Sequence, residues 1–335
     1  MKKYNIFILL FLACPLFLCG CGGAAETQAP AETRSYTTHE DPFLHASASD
    51  ILDAAAEAAA LKDAPLPAAA VVPEADASGE LEERSEEAVI DYSHTSDGYV
   101  MVQYLAETDA RLKVLVKGPE TTYSYNLPQG EWTVFPLSDG NGSYQIGVYK
   151  NISGSKYATV ISATCDVLLH DEFAPFLRPN QYVNYTADSE TVAKAMELTA
   201  GVDDPLEKVA VVYDFVVTNL SYDYEKAATV KSGYLPVLDQ VLAEKKGICF
   251  DYAALMTAML RSQEIPCKLV VGFAGETYHA WISVWTEENG WIDGAIFFDG
   301  QVWKRMDPTF ASSGDGSDEI MDFIEHGSYT TKYLY

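Results

Sequence analysis

Cys249, His279 and Asp307, in that order along the chain, are residue types that could carry thiol acyl transfer. Cys249 follows Gly247-Ile248 and opens the run Cys-Phe-Asp-Tyr-Ala-Ala-Leu-Met-Thr-Ala-Met-Leu, in which Tyr252, Leu255, Met256 and Met259 recur at helical spacing. The spacing predicts an amphipathic helix with the cysteine in its first turn. Unpaired backbone N–H groups and the positive end of the helix dipole favour a thiolate there. Asp251 works slightly against that charge, so the thiol needs a base. Histidines at 39, 45, 94, 170 and 326 lie in the N-terminal stretch, at the edge of a strand-rich region, at a junction or in a C-terminal loop. His279 alone occupies a strand-like run after the cysteine helix, "TYHAWISVW". Downstream, Asp307 closes a further run and is stopped by Pro308. In such a set the imidazole takes the thiol proton, and the carboxylate fixes the tautomer and stabilises the imidazolium.

The elements that must hold these residues are legible around them. "DSETVAKAMELTA" and "DPLEKVAVVYDFVVTNL" carry an acidic or capping residue in front and helical periodicity behind, and "VLDQVLAEK" reads as a third helix. The intervening "SYDYEKAATVKSGYLP" reads as a loop. After the cysteine helix, "CKLVVGFA", "HAWISVW", "GWIDGAIFF" and "QVWKRMDP" read as strands. Helices followed by antiparallel strands describe an α+β domain, placed over residues 171–335. Before it, residues 88–170 alternate with period two between turn signals, which suggests an all-β sandwich of immunoglobulin-like type. Its role is open between a spacer or docking module and recognition of a wall polymer or protein.

The three motifs "KKGICFDYAALMTAML", "HAW" and "DPTF", in this order, resemble the transglutaminase-like superfamily of papain-like thiol enzymes. The resemblance covers about Asp188 to Ala311 and implies Cys249 as nucleophile, His279 as base and Asp307 as orienting acid. It implies acyl transfer on peptide or carboxamide bonds through a thioester, resolved by water or by an amine. Hydrolysis is favoured, because water is always present and no amine-binding acidic pocket can be assigned. The Cys249 N–H would be one oxyanion donor. By resemblance, Tyr222 or Tyr224 would be a second, unless both simply pack the loop. Trp281 would shield the His–Asp pair. Departures from the family pattern are Phe250 after the cysteine, Ser283 after His-Ala-Trp, and the long segment "TEENGWIDGAIFFDGQ". A non-catalytic surface binding module on the same fold is the competing reading.

The N-terminus, "MKKYNIFILLFLACPLFLCGCGG", has two lysines, an apolar run and then small residues. The run is shorter than the roughly 18 to 20 residues of a spanning helix, and it reads as an export signal over residues 1–20. Leu18-Cys19-Gly20-Cys21 resembles the lipobox of bacterial lipoproteins, which implies lipid on Cys21 and a membrane-anchored, extracytoplasmic protein. Residues 21–87, rich in Ala, Pro, Glu, Thr and Ser, read as an acidic disordered stalk with one short helix near Ser49–Ala64.

A formal charge of −27 excludes nucleic acid as a partner, since nothing neutralises a row of phosphates. A protein, peptide or cell-wall peptide is expected as substrate. Cys165, Cys249 and Cys267 would remain as thiols, too few for a disulfide scaffold and spaced unlike a zinc site. A Cys165–Cys267 bridge stays open, although Cys267 reads as a core residue. The acidic run "SSGDGSDEIMD" lacks the alternation of an EF-hand and reads as a solvated loop. No phosphate-binding glycine loop occurs, so neither metal nor cofactor is expected.

Overall fold

Alternation of apolar and polar side chains puts one face of a strand into a core, and Leu112–Lys117 and Thr122–Asn126 are built this way. Residues 70, 72–293, 297–298, 303–304 and 328–335 are described by the computed structural model of the chain. The strands are β1 (Glu82–Arg84), β2 (Ala88–Asp91), β3 (Tyr99–Tyr104), β4 (Leu112–Lys117), β5 (Thr122–Asn126), β6 (Thr133–Pro136), β7 (Gly142–Ser153) and β8 (Lys156–Val167). They form two four-stranded sheets, β1-β2-β3-β6 and β5-β4-β7-β8, with every neighbouring pair antiparallel. In β4, Leu112, Val114 and Val116 are buried while Lys113 and Lys117 are not. Ile90, Val100 and Val102 from one sheet share a core with Val114, Val116, Ile146 and Val148 from the other. The folded region starts earlier than the expected boundary at residue 88. β1 pairs with β2 through Glu83 and Ile90, and Ala70 and Val72 pack on the core. The charges of "GELEERSEE" masked that short edge strand, whose side chains are largely exposed.

Helices follow as expected: α1 (Glu190–Leu198) and α2 (Pro205–Asn219), then β9 (Ser221–Tyr222), α3 (Tyr224–Thr229), α4 (Leu238–Glu244), β10 (Lys246–Gly247) and α5 (Cys249–Arg261). Asp204 caps α2 by accepting the Leu206 and Glu207 N–H groups at 2.9 Å each. α3 falls in the stretch expected to be a loop, nucleated by Asp223, which accepts the Lys226 N–H at 2.9 Å. Then come β11 (Cys267–Ala274), β12 (Thr277–Thr286), β13 (Gly290–Asp293), β14 (Phe297–Phe298), β15 (Trp303–Lys304) and β16 (Tyr329–Leu334). One antiparallel sheet has the order β13-β12-β11-β16, and β14 pairs with β15. The helices-then-antiparallel-sheet expectation for this half is met.

The cysteine helix departs from its expected amphipathic character. Every residue of α5 from Asp251 to Arg261 is buried. Ala253, Ala254 and Ala258 are fully buried where α5 packs among α1, α2 and α4, and Thr257 meets Cys267 of β11; β12 also packs on the helix. Small apolar residues between the large ones make the helix apolar all round, which is the signature of a central helix.

Candidate active site

Gly247, Ile248 and Asp251 fix the direction in which Cys249 enters its helix. Ile248 is extended (φ −99°, ψ 175°) and Cys249 is the first helical residue, half-buried. Asp251 reaches back so that its Oδ2 accepts the Ile248 N–H at 2.8 Å. A Cβ at Gly247 would lie 2.6 Å from the Asp251 Cβ, so glycine is required before the cysteine. The N–H groups of the first turn have no partner within the helix, which leaves them available to an oxyanion.

β10 pairs in parallel with β9, setting Gly247 opposite Tyr222. The Ser221 N–H donates to the Lys245 carbonyl at 2.9 Å and the Asp223 N–H to the Gly247 carbonyl at 2.8 Å. This short ladder holds the "SYDY" segment against the helix start. Tyr222 is half-buried, with its ring 5.0 Å from that of Tyr224, while Tyr224 is 67% exposed at the head of α3.

His279 lies on β12, buried, in register with Gly272 of β11. The Trp281 ring stacks 6.3 Å from the imidazole and meets Tyr329 edge-on at 5.2 Å. α5 packs directly on β12. Tyr278, next to His279, feels the thiol: partial burial raises its phenol pKa, and the charges of Tyr333 and Cys249 raise it further. Ser283 donates to the Ile292 carbonyl at 3.2 Å, tying β12 to β13. Phe250 packs on Tyr182. Asp307, Cys21, the short stalk helix and the acidic run after Asp307 lie outside the described residues.

Cys165, Cys249 and Cys267 are all unbridged. Cys267 is an ordinary core residue: fully buried, with Sγ 3.6 Å from Thr257 Oγ1 and its thiol pushed up to about 11 by burial.

The sequence gives Asp251 only as a charge opposing the thiolate. In the fold its Oδ2 also accepts from the Lys226 ammonium at 2.6 Å, and its Oδ1 from the Tyr234 hydroxyl at 2.6 Å. Lys226 and Tyr234 lie in the stretch read as a loop, which has no period to reveal them. Tyr278 could have been found as the residue preceding His-Ala-Trp.

Residues 192–294 match the family model described as the transglutaminase-like superfamily. This segment is a transglutaminase-like domain. YebA of Bacillus subtilis (strain 168), described as uncharacterized, is 29% identical over 118 residues; the match spans 29% of this chain and 16% of that protein. Among solved structures, a candidate cysteine protease from Cytophaga hutchinsonii is 16% identical with a TM-score of 0.34, covering 76% of this chain and 81% of its own. The periplasmic domain of TgpA from Pseudomonas aeruginosa is 16% identical with a TM-score of 0.29, covering 61% of this chain and 91% of its own. Red sea bream transglutaminase is 14% identical with a TM-score of 0.28, covering 70% and 56%.

Proposed function

We propose that the chain is a membrane-anchored, extracytoplasmic thiol enzyme that hydrolyses peptide or carboxamide bonds. The observation that carries this reading is the position of Cys249: half-buried at the first residue of a central helix, packed on the strand that bears His279. His279 takes the thiol proton, and the thiolate attacks the carbonyl carbon. The Cys249 N–H and a tyrosine, Tyr222 or Tyr224, receive the oxyanion. The C–N bond breaks as the imidazolium returns its proton to the leaving amine, leaving a thioester on Cys249. Water, deprotonated by His279, resolves the thioester, and the thiol regains a proton. Asp307 orients the imidazole in this scheme. Hydrolysis is preferred over cross-linking because water needs no site of its own.

Lipid on Cys21 anchors the chain in this reading, and the substrate is a protein, peptide or cell-wall peptide outside the cytoplasm. The two-sheet region is read as an immunoglobulin-like sandwich. Its support is the strand order, with β2, β3 and β6 in one sheet and β5, β4, β7 and β8 in the other.

The test is covalent labelling of the full chain by a thiol-directed peptide probe, with the modified residue mapped by mass spectrometry. Wild type forms the adduct at Cys249 and Cys249→Ala does not, while His279→Ala slows the reaction by about a hundredfold or more. Equal labelling of wild type and Cys249→Ala would refute the assignment. Peptide libraries turned over with and without added amine then separate hydrolase from cross-linker.

A further inference from the structure

Asp251 is fully buried two residues after Cys249, in the same helical turn. It is needed there for geometry, because it holds the Ile248 N–H and shapes the entry to the helix. It is unfavourable there for charge, because a buried carboxylate opposes a thiolate forming beside it. Lys226, from α3, resolves the conflict with a 2.6 Å contact to Oδ2, its ammonium standing 4.4 Å from the centre of the Tyr234 ring. Of the other charges near this turn, Lys246 pairs with Asp223 at 3.1 Å, and Glu244 acts on Tyr234. β12 supplies Tyr278 and, next to it, His279.

We propose that Lys226 is a positioning residue for the nucleophile: it neutralises Asp251, so that this carboxylate anchors the helix start without suppressing ionisation of Cys249. The inference rests on the reading of Cys249 as the nucleophile. Tyr234 donates a further hydrogen bond, at 2.6 Å to Oδ1, so that both carboxylate oxygens are held.

The experiment measures the rate of iodoacetamide alkylation at Cys249 against pH in the full chain, read by mass spectrometry of the Cys249 peptide. Lys226→Met slows alkylation at pH 7 about tenfold and moves the profile about one pH unit upward. Lys226→Arg stays within about threefold of wild type, because the charge is kept. Lys226→Met combined with Asp251→Asn returns towards wild type, since no carboxylate is left to oppose the thiolate. Far-UV circular dichroism reports folding of each variant. Should Lys226→Met fail to fold, Asp251→Asn alone decides, because leaving Lys226 unopposed moves the profile to lower pH. A Lys226→Met profile that coincides with wild type overturns the proposal. So does a double variant as slow as Lys226→Met, or an Asp251→Asn profile that is unmoved or moved upward. Peptide turnover is scored separately: Lys226-dependent alkylation in a chain that turns over no peptide keeps the charge coupling and rejects the acyl-transfer reading.

Discussion

The Phe250 ring, one residue after Cys249, lies 5.6 Å from the ring of Tyr182, and Tyr182 lies 5.6 Å from Tyr125 in the second β-sheet. Tyr182 also packs 4.4 Å from Tyr335, whose ring meets Tyr123 and Tyr125 edge-on at 5.7 Å and 5.8 Å. The strand-rich half of the chain therefore reaches the start of the cysteine helix through a continuous aromatic cluster. A loosely tethered spacer would make no such contact. Tyr182→Ala is expected to cost about 2–4 kcal/mol in urea unfolding, because it opens a cavity at this seam. Cys249 alkylation should change with it, as Phe250 loses its backing. Tyr182→Phe keeps the ring and should cost about 1 kcal/mol or less. If the alanine variant were as stable as wild type, the seam would hold nothing together.

Gly272 stands opposite His279 where the β11–β16 pairing shifts register. A Cβ there would lie 2.0 Å from the Thr330 carbonyl oxygen and 2.8 Å from Trp281 Cη2. Backbone cannot yield as a flexible side chain does, so Gly272→Ala must displace β16 or turn the indole that stacks beside His279. We expect a loss of about 2–3 kcal/mol, with a changed near-ultraviolet tryptophan spectrum. An unaltered spectrum and urea midpoint would show that the strands absorb the methyl group.

The sequence made the helix start at Cys249, the strand bearing His279 and the cap at Asp204 legible because each depends on neighbours a few residues away. The aromatic seam and β16 were not legible. No periodic pattern marks Tyr182 or Tyr335, and their partners are fixed only by the tertiary fold. The amphipathic reading of α5 failed for a related reason. Ala253, Ala254 and Ala258 carry too little apolar weight to mark a buried face, yet all three are fully buried in a helix packed among three others and two strands. Lys226 was hidden in the same way, since its partner Asp251 is 25 residues distant.

Alkali should weaken the fold in two steps. The Cys267 thiol is raised from 9.0 to about 11 by burial, and the Tyr182 phenol from 10.0 to about 12, again chiefly by burial. Both groups stay neutral in the folded chain at pH values where the unfolded chain ionises them. Their contribution is complete below pH 9, and it is lost as pH rises through the folded values. A two-unit shift at a fully buried thiol corresponds to roughly 2–3 kcal/mol by pH 11. Urea midpoints measured from pH 7 to 11.5 should therefore be level at first and decline from about pH 9. Cys267→Ala should delay the onset by about one unit, to where tyrosines begin to ionise. A decline that starts at the same pH in both proteins would remove Cys267 from the account.

Arg261 ends α5 as a fully enclosed cation, and its guanidinium makes three hydrogen bonds to backbone. Nε donates to the Cys267 carbonyl at 2.8 Å, Nη1 to the Arg178 carbonyl at 2.7 Å and Nη2 to the Tyr335 carbonyl at 2.7 Å. The three carbonyls belong to β11, to the segment linking the two halves, and to the residue after β16. Burial lowers the Arg261 pKa, which is the desolvation cost of enclosing the charge. The negative end of the α5 dipole and the three oxygens offset it. Arg261→Met removes three donors at once and strands their acceptors, so a loss of about 3–5 kcal/mol is expected. Lysine cannot span three diverging carbonyls, and Arg261→Lys should fall between methionine and wild type. Urea unfolding measures the loss, and limited proteolysis reports whether residues 328–335 are released first. A methionine variant within about 1 kcal/mol of wild type would mean that water replaces the guanidinium without cost, and that β16 is held by its pairing to β11 alone.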